Sequence, residues 1–455
     1  MEEQFTRQWE QQVNDFLDAS IPADVRERGE RTVADVLAAA VAGSTVPAVA
    51  EVAREGAFAD GSATLLGTSR QVAPAAAALV NGAAAIAQEI EEGHNTGGHV
   101  GAGVVAGGLA VAEAEGVDGA TFVDACIRAY EVCVRLERAI FAMKDRINDA
   151  VPWLVRNPHS TWTTVGPALT AALCLGADAD RLRETFRIAA NLAVVSMHDP
   201  YAEGAPSRNF TAGFSAQAGV SAALIGAAGL RGSVAAVEAV YDPFEDLLPA
   251  GLGRQFETLG TEWAITENYH KPYPSCRYTH PPLDALRAAV DDRSVTPVAV
   301  DHITVDTFAN ATEMDHDTPT TTTAAKFSTP YVLARYLTEG AVDLEQFEAD
   351  ALDDDSVRAL ATRVDLREDP AYEDAFPESW GARVEVRLDE GTVLTGEREF
   401  PRGDYRDPLS EAAYRDRTRQ VLAYGLPAER VNGALAALDS VAGQPVRATT
   451  ASLTS

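Results

Sequence analysis

Residues 74–112 read PAAAALVNGAAAIAQEIEEGHNTGGHVGAGVVAGGLAVA, two long alanine-rich runs separated by a short polar segment. The first run, residues 75–89, follows Pro74 and is almost entirely small or apolar, as expected for an internal helix that begins just after the proline. The second run, residues 100–112, consists of alanine, glycine, valine and leucine. Because small residues allow close contacts between helices, the stretch predicts a compact bundle of α-helices.

Apolar residues recur at helical spacing through most of the first 265 residues. The segments with this spacing lie at residues 118–142, 168–175, 182–195 and 213–229. Each is predicted to form one helix. No run of about 18 uncharged apolar residues free of turn signals occurs, so no membrane span is expected.

The pattern changes after residue 265, where prolines interrupt residues 268–280. Polar and apolar residues then alternate in three segments, which predicts strands at residues 302–308, 384–388 and 393–399. The last two strands flank residues 389–391 (Asp-Glu-Gly), a hairpin signal. Helical spacing recurs in residues 324–339 and 410–442.

Together these patterns predict a mainly α protein in three parts. A large all-helical domain spans residues 1–265, a smaller α+β domain spans 266–400, and C-terminal helices at 401–455 return to the helical domain. The chain has 455 residues, of which 46% are hydrophobic, and is therefore long enough to bury two substantial cores.

The charge balance is strongly acidic, with 68 Asp and Glu residues against 37 Lys and Arg residues and a net charge of −31. Nucleic-acid binding is therefore not expected, because neutralising phosphates requires a basic face. An acidic, lysine-poor surface indicates solvation in high salt and a haloadapted source. The lysines are Lys144, Lys271 and Lys326, so a lysine is unusual in this chain.

The cysteines and the N-terminus indicate the compartment. The N-terminal residues MEEQFTRQWEQQ lack the basic start and apolar stretch of a secretory signal. No CxxC pair or disulfide framework is formed by Cys126, Cys133, Cys174 and Cys276. We therefore expect a cytoplasmic protein.

The polar segment 88–99, QEIEEGHNTGGH, holds the densest group of ionisable residues. Its glycines let the backbone approach a ligand, and its two histidines can exchange protons near neutral pH. A polar loop between helices is the plain alternative. A metal site is another, although the spacing of Glu89, Glu92, His94 and His99 matches no standard zinc pattern.

A second group, residues 270–280 (HKPYPSCRYTH), places four potential cations in an acidic chain: His270, Lys271, Arg277 and His280. Prolines stiffen the backbone here, which helps to hold charged side chains ready for a ligand. A basic surface loop paired with nearby acids is the alternative. Cys276 could be a nucleophile, but no signature supports that role, and a small packed residue is the simpler interpretation.

Three further positions are candidates. Arg208 begins a helix after a loop rich in glycine and proline, where it could bind a carboxylate through two N–H groups or be an ordinary surface arginine. Tyr331, at the end of the segment KFSTPY, could donate a proton or pack in the core. His159 lies just before an alanine-rich helix and is a candidate for the wall of an active site.

These segments follow one another in a set order along the chain. The last two are KPYPSC, which precedes His280, and AKFSTPY, which ends at Tyr331. The order resembles that of the MmgE/PrpD family, which includes 2-methylcitrate dehydratase, cis-aconitate decarboxylase and iminodisuccinate epimerase. The resemblance extends over nearly the whole chain, and KPYPSC and AKFSTPY are its most specific parts. It implies a helical domain built from both chain ends, a smaller α+β lid, an active site in the cleft between them, a homodimer, and no metal or organic cofactor.

Carried over by position, the resemblance assigns active-site roles to His99, Lys271 and Tyr331, which match the family directly. His159 lies within two residues of the family's other active-site histidine.

Four positions depart from the family pattern. Glu89 stands where the family usually has aspartate, and Arg208 where it usually has lysine. Gly93 and Cys276 stand where the decarboxylases have threonine and a second histidine. These departures disfavour cis-aconitate decarboxylase as the specific activity.

The residue types suit a small polycarboxylate substrate. Lys271 and Arg208 would hold its carboxylates, and Cys276, Arg277 and His280 are further candidates for substrate binding. All three of dehydration, decarboxylation and epimerisation pass through an electron-rich carbon beside a carboxylate, which surrounding cations stabilise.

His99 is the candidate base, with Glu89 orienting it, and Tyr331 or His159 would supply a proton. We therefore predict a cofactor-free lyase that resembles 2-methylcitrate dehydratase, with decarboxylation or epimerisation as alternatives. Two other classes stay open: a metal-dependent hydrolase that uses Glu89, His94 and His99, and a non-enzymatic helical binding protein.

Overall fold

The computed structural model describes residues 8–96, 98–141, 149, 156–157, 163–193, 196–197, 204–241, 251–291, 293 and 295–455. Helices dominate this part of the chain, and a four-stranded sheet lies in its second half. The predicted mainly α fold with a smaller α+β part is confirmed. The boundaries at residues 265 and 400 stay predictions.

The helices of the first half include every helix predicted there. They are α1 (Gln8–Leu17), α2 (Ala23–Gly43), α3 (Pro47–Glu55), α4 (Pro74–Ala87), α5 (Val100–Glu115), α6 (Gly119–Phe141), α7 (Val165–Cys174), α8 (Ala179–Asn191), α9 (Phe210–Ala227), α10 (Val234–Tyr241) and α11 (Gly251–Gln255). Local residues set several ends. Pro74 occupies the first turn of α4, and Gly116, with φ of 73°, terminates α5 in the left-handed conformation.

Short antiparallel strand pairs connect these helices. The pairs are β1 (Asp60–Thr64) with β2 (Gln71–Val72), β3 (Gly93–His94) with β6 (Asn268–Tyr269), and β4 (Arg156–Asn157) with β5 (Ser196–Met197). The sequence patterns predicted none of them, because strands of two residues are too short to show alternation.

Both ends of the chain contribute to one large hydrophobic core. Residues 76–87 of α4 are all buried within it. The C-terminal helices α18 (Glu411–Gly425), α19 (Ala428–Asp439) and α20 (Val446–Ser452) join this core through buried Leu422, Leu435 and Val446. The C-terminal segment therefore returns to the first helices, as the helical spacing of residues 410–442 predicts.

Glycines allow the central helices α4 and α9 to touch backbone to backbone. A Cβ atom added at Gly213 of α9 would lie 2.2 Å from the carbonyl oxygen of Leu79 in α4. A Cβ atom added at Gly82 of α4 would lie 3.0 Å from the Cα atom of Gly213. This is the close contact that the alanine and glycine content predicts.

We expect Gly213→Ala to destabilise the fold by about 2–4 kcal/mol, because the new methyl group must push α9 away from α4. Gly433→Ala in α19 is the matched control. Nothing lies within 4 Å of that Cβ position, so the free energy of unfolding should rise by about 0.5–1 kcal/mol. Denaturant unfolding measures both variants, and an unchanged stability of Gly213→Ala would contradict the close packing.

The second core lies between a twisted sheet and the helices beside it. The sheet has the order β10 (Val393–Arg398), β9 (Ala382–Leu388), β7 (Val300–Thr307), β8 (Val364–Glu368), antiparallel except for the parallel pair β7 and β8. The helices of this part are α12 (His280–Val290), α13 (Ala309–Thr312), α14 (Thr322–Lys326), α15 (Thr329–Glu339), α16 (Asp355–Ala361) and α17 (Pro370–Glu373). Of these, α13 and α17 pack on a separate small cluster of Phe308, Ala311 and Trp380. Alternate residues such as Ile303, Val305 and Val384 are fully buried and pack in one cluster with Leu283 and Leu286 of α12.

One sequence prediction in this part needs correction. The helix predicted at residues 324–339 is two helices, α14 and α15, because the backbone leaves helical geometry at Phe327 and Ser328. Ser328 caps α15 by accepting a hydrogen bond from the Tyr331 N–H, and Pro330 in the first turn favours a new helix start. Helix α12 and strand β8 were not predicted.

One described helical stretch, Pro206–Ala227, is long and apolar enough to cross a membrane, whereas no membrane span is expected from the sequence. A second candidate arises when α2 and α3, bent by 83° at their junction, are taken as one span. Half of the apolar window of Pro206–Ala227 is buried inside the fold, and Gly213 packs it against α4, so this stretch has the contacts of a core helix.

Candidate active site

The polar segment 88–99 begins where α4 ends. Gln88 follows the last helical residue, and Glu89 takes a φ of 53°. For a residue other than glycine, this left-handed conformation costs on the order of 1–3 kcal/mol. Other contacts must therefore hold Glu89 in place.

A pair of short strands joins this segment to the second predicted group. Gly93 of β3 pairs with Tyr269 of β6, and His94 pairs with Asn268. A Cβ atom added at Gly93 would lie 2.4 Å from the Tyr269 hydroxyl oxygen, so the glycine is required by this close approach. The pairing places residues 270–280 beside residues 88–99.

Glu92 fixes the segment from inside the fold. Its carboxylate accepts hydrogen bonds from the Gly101 N–H at 2.9 Å, the Tyr130 hydroxyl at 3.0 Å and the Asn268 side-chain amide at 3.0 Å. Burial, aided by the negative charge of Asp35, raises the pKa of Glu92 to about 8. Glu92 is thus a fully engaged structural residue.

Glu89 lies between two cations from different parts of the chain. Its Oε2 atom is 2.9 Å from Lys271 Nζ, and its Oε1 atom forms an ion pair with Arg208 Nη2. All three side chains are buried. Burial opposes ionisation, but the charges of Arg208 and Lys271 outweigh it and hold the pKa of Glu89 below its ordinary value.

His99 is oriented by Glu91. Its Nδ1 atom is hydrogen-bonded to Glu91 Oε1, and its Nε2 atom lies 3.3 Å from Arg208 Nη2. A carboxylate accepts the proton of Nδ1, which leaves Nε2 as the acceptor nitrogen. Glu89 instead pairs with Lys271 and Arg208, so its orienting role toward His99 stays a prediction that these contacts do not favour.

Arg208 is positioned by the turn that precedes α9. It lies in a 3₁₀ turn, Pro206–Asn209, and its Nη1 atom donates to the carbonyl oxygen of Ile86 at 3.1 Å. Its guanidinium group lies 5.3 Å from the centre of the Phe327 ring. Arg208 is buried, so it is not the surface arginine of the alternative interpretation.

Lys271 is positioned by the C-terminal part of the chain. The Nε atom of Arg417 in α18 donates to the Lys271 carbonyl oxygen at 2.9 Å. The same guanidinium group contacts Asp35 and the carbonyl oxygen of Ile90. Arg417 therefore joins the backbone of both site segments to helices of the first core.

Lys326 is a site residue to which no role is assigned from the sequence, although lysine is rare in this chain and Lys326 lies in the AKFSTPY segment. Its Nζ atom donates to the Gln88 carbonyl oxygen at 3.1 Å and also contacts the Gln88 side-chain oxygen. Burial lowers the pKa of Lys326 to about 7. The scarcity of lysine was the signal that could have identified it.

Cys276 lies next to these residues but is not activated. Its backbone N–H donates to the Lys326 carbonyl oxygen at 2.8 Å. Burial, with a smaller contribution from the negative charge of Glu89, raises the pKa of its thiol to about 12. The thiol is therefore protonated at neutral pH, which argues against the nucleophile interpretation.

Tyr331 does not join this cluster. Its hydroxyl donates to the Gln346 carbonyl oxygen at 2.6 Å and accepts from Arg335 Nε at 2.9 Å, and its ring packs in the second core. Tyr331 therefore packs in the core, as in the alternative interpretation. Its role as proton donor stays a prediction that these contacts do not favour.

Arg277 and His280 are likewise engaged with the protein itself. Arg277 donates to the carbonyl oxygens of Arg402 and Pro401 and stacks 4.4 Å from the Tyr269 ring centre. His280 contacts Arg277 at 3.1 Å, and burial holds its pKa well below the ordinary value. His280 is therefore neutral and cannot attract a carboxylate by charge. His159 lies outside the described residues.

Ligand-type atoms of Glu89, Glu91 and His99 lie within 4.8 Å of one another, the arrangement of a possible metal site. Arg208 and Lys271 already hold the carboxylate of Glu89, and two cations in contact oppose a third positive charge there. His94 of the proposed metal set accepts a hydrogen bond from Thr96 instead. The donor set fits an acid–base site better than a metal site.

The arrangement provides a proton acceptor next to two cations. His99 Nε2 faces Arg208, which with Lys271 could bind a carboxylate group of a ligand. A carbon atom beside that carboxylate would then lie within reach of the histidine. A proton acceptor beside two cations is the arrangement that proton transfer at a carbon next to a carboxylate requires.

Comparison with known protein families finds two matching domains in this chain. Residues 12–248 match the MmgE/PrpD N-terminal domain, and residues 273–440 match the MmgE/PrpD C-terminal domain. The chain belongs to the MmgE/PrpD family.

The relatives are named as decarboxylases. A cis-aconitate decarboxylase-like protein of Aspergillus oryzae is 26% identical over 449 residues, covering 92% of this chain and 90% of its own length. The cis-aconitate decarboxylase of Aspergillus terreus is 23% identical over 416 residues, covering 86% and 83%. That of Mus musculus is 25% identical over 280 residues, covering 58% and 54%. Together with the family, these relatives support an enzyme of lyase type that acts on a small acid.

Proposed function

We propose that the protein is a cofactor-free lyase of a small polycarboxylate, with dehydration of a 2-methylcitrate-like substrate as its reaction. The observation that carries this proposal is the Glu91–His99 pair next to Arg208 and Lys271. Arg208 and Lys271 bind carboxylates of the substrate, and His99 Nε2 removes a proton from the adjacent carbon.

The two cations also favour the reaction electrostatically. Removal of the proton places negative charge on the carbon and its carboxylate, and buried cations stabilise that charge more strongly than exposed ones. Lys271 is fully buried and 3.8 Å from Glu91 Oε1, so its charge acts on both the substrate site and the base pair.

Decarboxylation is the second candidate, because the relatives are named cis-aconitate decarboxylases. The glycine at position 93 favours dehydration over decarboxylation. The family resemblance implies threonine at this position in the decarboxylases, and here a Cβ atom would lie 2.4 Å from the Tyr269 hydroxyl oxygen, so Tyr269 would have to move. The protonated thiol of Cys276 also cannot supply the charge of their second histidine.

A substrate screen in molar KCl tests the proposal. Purified protein is given 2-methylcitrate, citrate, cis-aconitate or iminodisuccinate, and alkene absorbance and carbon dioxide release are followed. We expect alkene absorbance to rise with 2-methylcitrate and no carbon dioxide to appear. Carbon dioxide from cis-aconitate would instead establish the decarboxylase, and no reaction with any compound would overturn the polycarboxylate class.

A further inference from the structure

A dehydration needs an acid as well as a base, and Tyr331 is engaged elsewhere. The leaving hydroxyl group requires a proton, because hydroxide is a poor leaving group at neutral pH. Among the described residues, the group placed to supply one is the side chain of Lys326.

Three contacts connect Lys326 and its neighbour Phe327 to the site. Its Nζ atom is bound to Gln88, the residue before Glu89. Its carbonyl oxygen accepts from the Cys276 N–H, and the ring of the next residue, Phe327, packs against Arg208. The side chain is 1% exposed, so bulk water does not compete for its protons.

The ammonium group keeps one proton available. An ammonium group has three N–H donors, and the two oxygen atoms of Gln88 engage two of them. No acceptor for the third is found in the described part of the chain. The aromatic ring of Phe347 covers another side of the group, with its centre 5.8 Å from Nζ.

The surrounding charges keep Lys326 close to the point where it can lose a proton. Burial disfavours the ammonium form most strongly. The charged side chains that act on it are Glu89 and Glu91, which favour the ammonium form, and Lys271 and Arg208, which disfavour it. The resulting pKa of about 7 lets the group both give and regain a proton near neutral pH.

We propose that Lys326 is the acid of this site and transfers a proton from Nζ to the leaving hydroxyl group of the substrate. The proposal rests on the proposed dehydration. His99 Nε2 takes the proton from the carbon beside the carboxylate, and the C–H electron pair becomes the new C=C bond. The C–O bond breaks, its electron pair stays on oxygen, and the proton from Lys326 completes a water molecule.

The cycle closes without a further reactant. After one turnover Lys326 is a neutral amine and His99 is an imidazolium. Net transfer of one proton from His99 to Lys326 through solvent restores both groups. Because the acid must start as ammonium, the rate should fall as the pH rises through about 7.

The first experiment is Lys326→Arg, which keeps the positive charge but cannot release a proton. Turnover (kcat) should fall about 10²–10³-fold, while KM changes by about threefold or less. Lys326→Met is the second variant, in case the larger arginine disturbs the buried site. It introduces no charge there and should show the same loss of kcat. Full kcat in either variant would overturn the proposal.

The second experiment does not depend on the substrate. The chain contains three lysines, so protein labelled with [¹³Cε]lysine gives three resonances, and the one absent in Lys326→Arg is assigned to Lys326. Its titration midpoint should lie near pH 7. A resonance that stays in the charged position up to pH 9 would overturn the acid role. Failure of the substrate screen would overturn the proposed function but not this titration.

Discussion

His99→Ala is expected to lower kcat by about 10²–10⁴-fold, because it removes the base that takes the proton from carbon. The fold should be retained, since the His99 side chain lies at the edge of the site and is 15% exposed. Initial rates with the active compound of the screen measure the loss, and circular dichroism measures the fold.

His302→Ala is the matched control for this variant. His302 lies on the outer face of the sheet, where it pairs with Asp365 at 3.1 Å. It is distant in sequence from the acid–base cluster, and none of its described contacts is with a residue of that cluster. Its loss should leave kcat unchanged. Equal rates for His99→Ala and His302→Ala would remove His99 from the reaction.

Glu91→Gln separates orientation from chemistry at the same histidine. Glu91 is a positioning residue, because it acts through the His99 ring. Loss of its negative charge should lower kcat about 10–100-fold, because the ring loses the carboxylate that orients it. An unchanged kcat would contradict this role.

Glu89→Gln is expected to destabilise the folded protein by about 3–5 kcal/mol at pH 7. Glu89 is a buried counter-charge of Arg208 and Lys271, and its replacement by glutamine removes one buried ion pair from each of them. The free energy of unfolding in molar KCl, obtained from denaturant titration, measures the effect.

The pH dependence of this contribution has a definite sign. The folded pKa of Glu89 is lowered, so its stabilisation is fully present above the unfolded pKa of about 4.3. It is lost as the pH falls through the folded value. The wild-type protein should therefore approach Glu89→Gln in stability only under acid conditions.

An exposed ion pair provides the control for Glu89. Glu51 pairs with Arg54 on the surface, where both side chains are more than half exposed. Glu51→Gln should change the free energy of unfolding by about 0.5 kcal/mol or less. If Glu89→Gln were equally mild, the proposed balance of buried charges would be wrong.

The sequence predicted helices α4 to α9, because long alanine-rich runs such as α4 and α9 follow one period without interruption, whereas α1 to α3, α10 and α11 were not predicted individually. Elements that depend on tertiary contacts were less predictable. The pair β3 and β6 joins residues 174 and 176 positions apart and contains only two residues per strand. The break before α15 depends on one capping side chain, Ser328.

The candidate site was predictable in part. Lys271, Arg208 and His99 were selected from rare residue types and motif order, and the structure brings them together around Glu89. The partner of His99 could not be predicted, because positions 89 and 91 are both glutamate. Only the backbone geometry at Glu89 determines which of the two carboxylates reaches the His99 ring. Arg277 and His280 were selected by charge, which does not reveal that backbone carbonyls and burial engage them.

The central claim is that His99 exchanges a proton with the carbon beside a carboxylate held by Arg208 and Lys271. The most direct measurement is NMR detection of deuterium released to water from 2-methylcitrate that carries deuterium at the carbon beside the carboxylate. We predict release of this deuterium with the wild-type protein and about 10²-fold slower release with His99→Ala. Turnover that retains the deuterium at that carbon, or equal release by both proteins, would contradict the account.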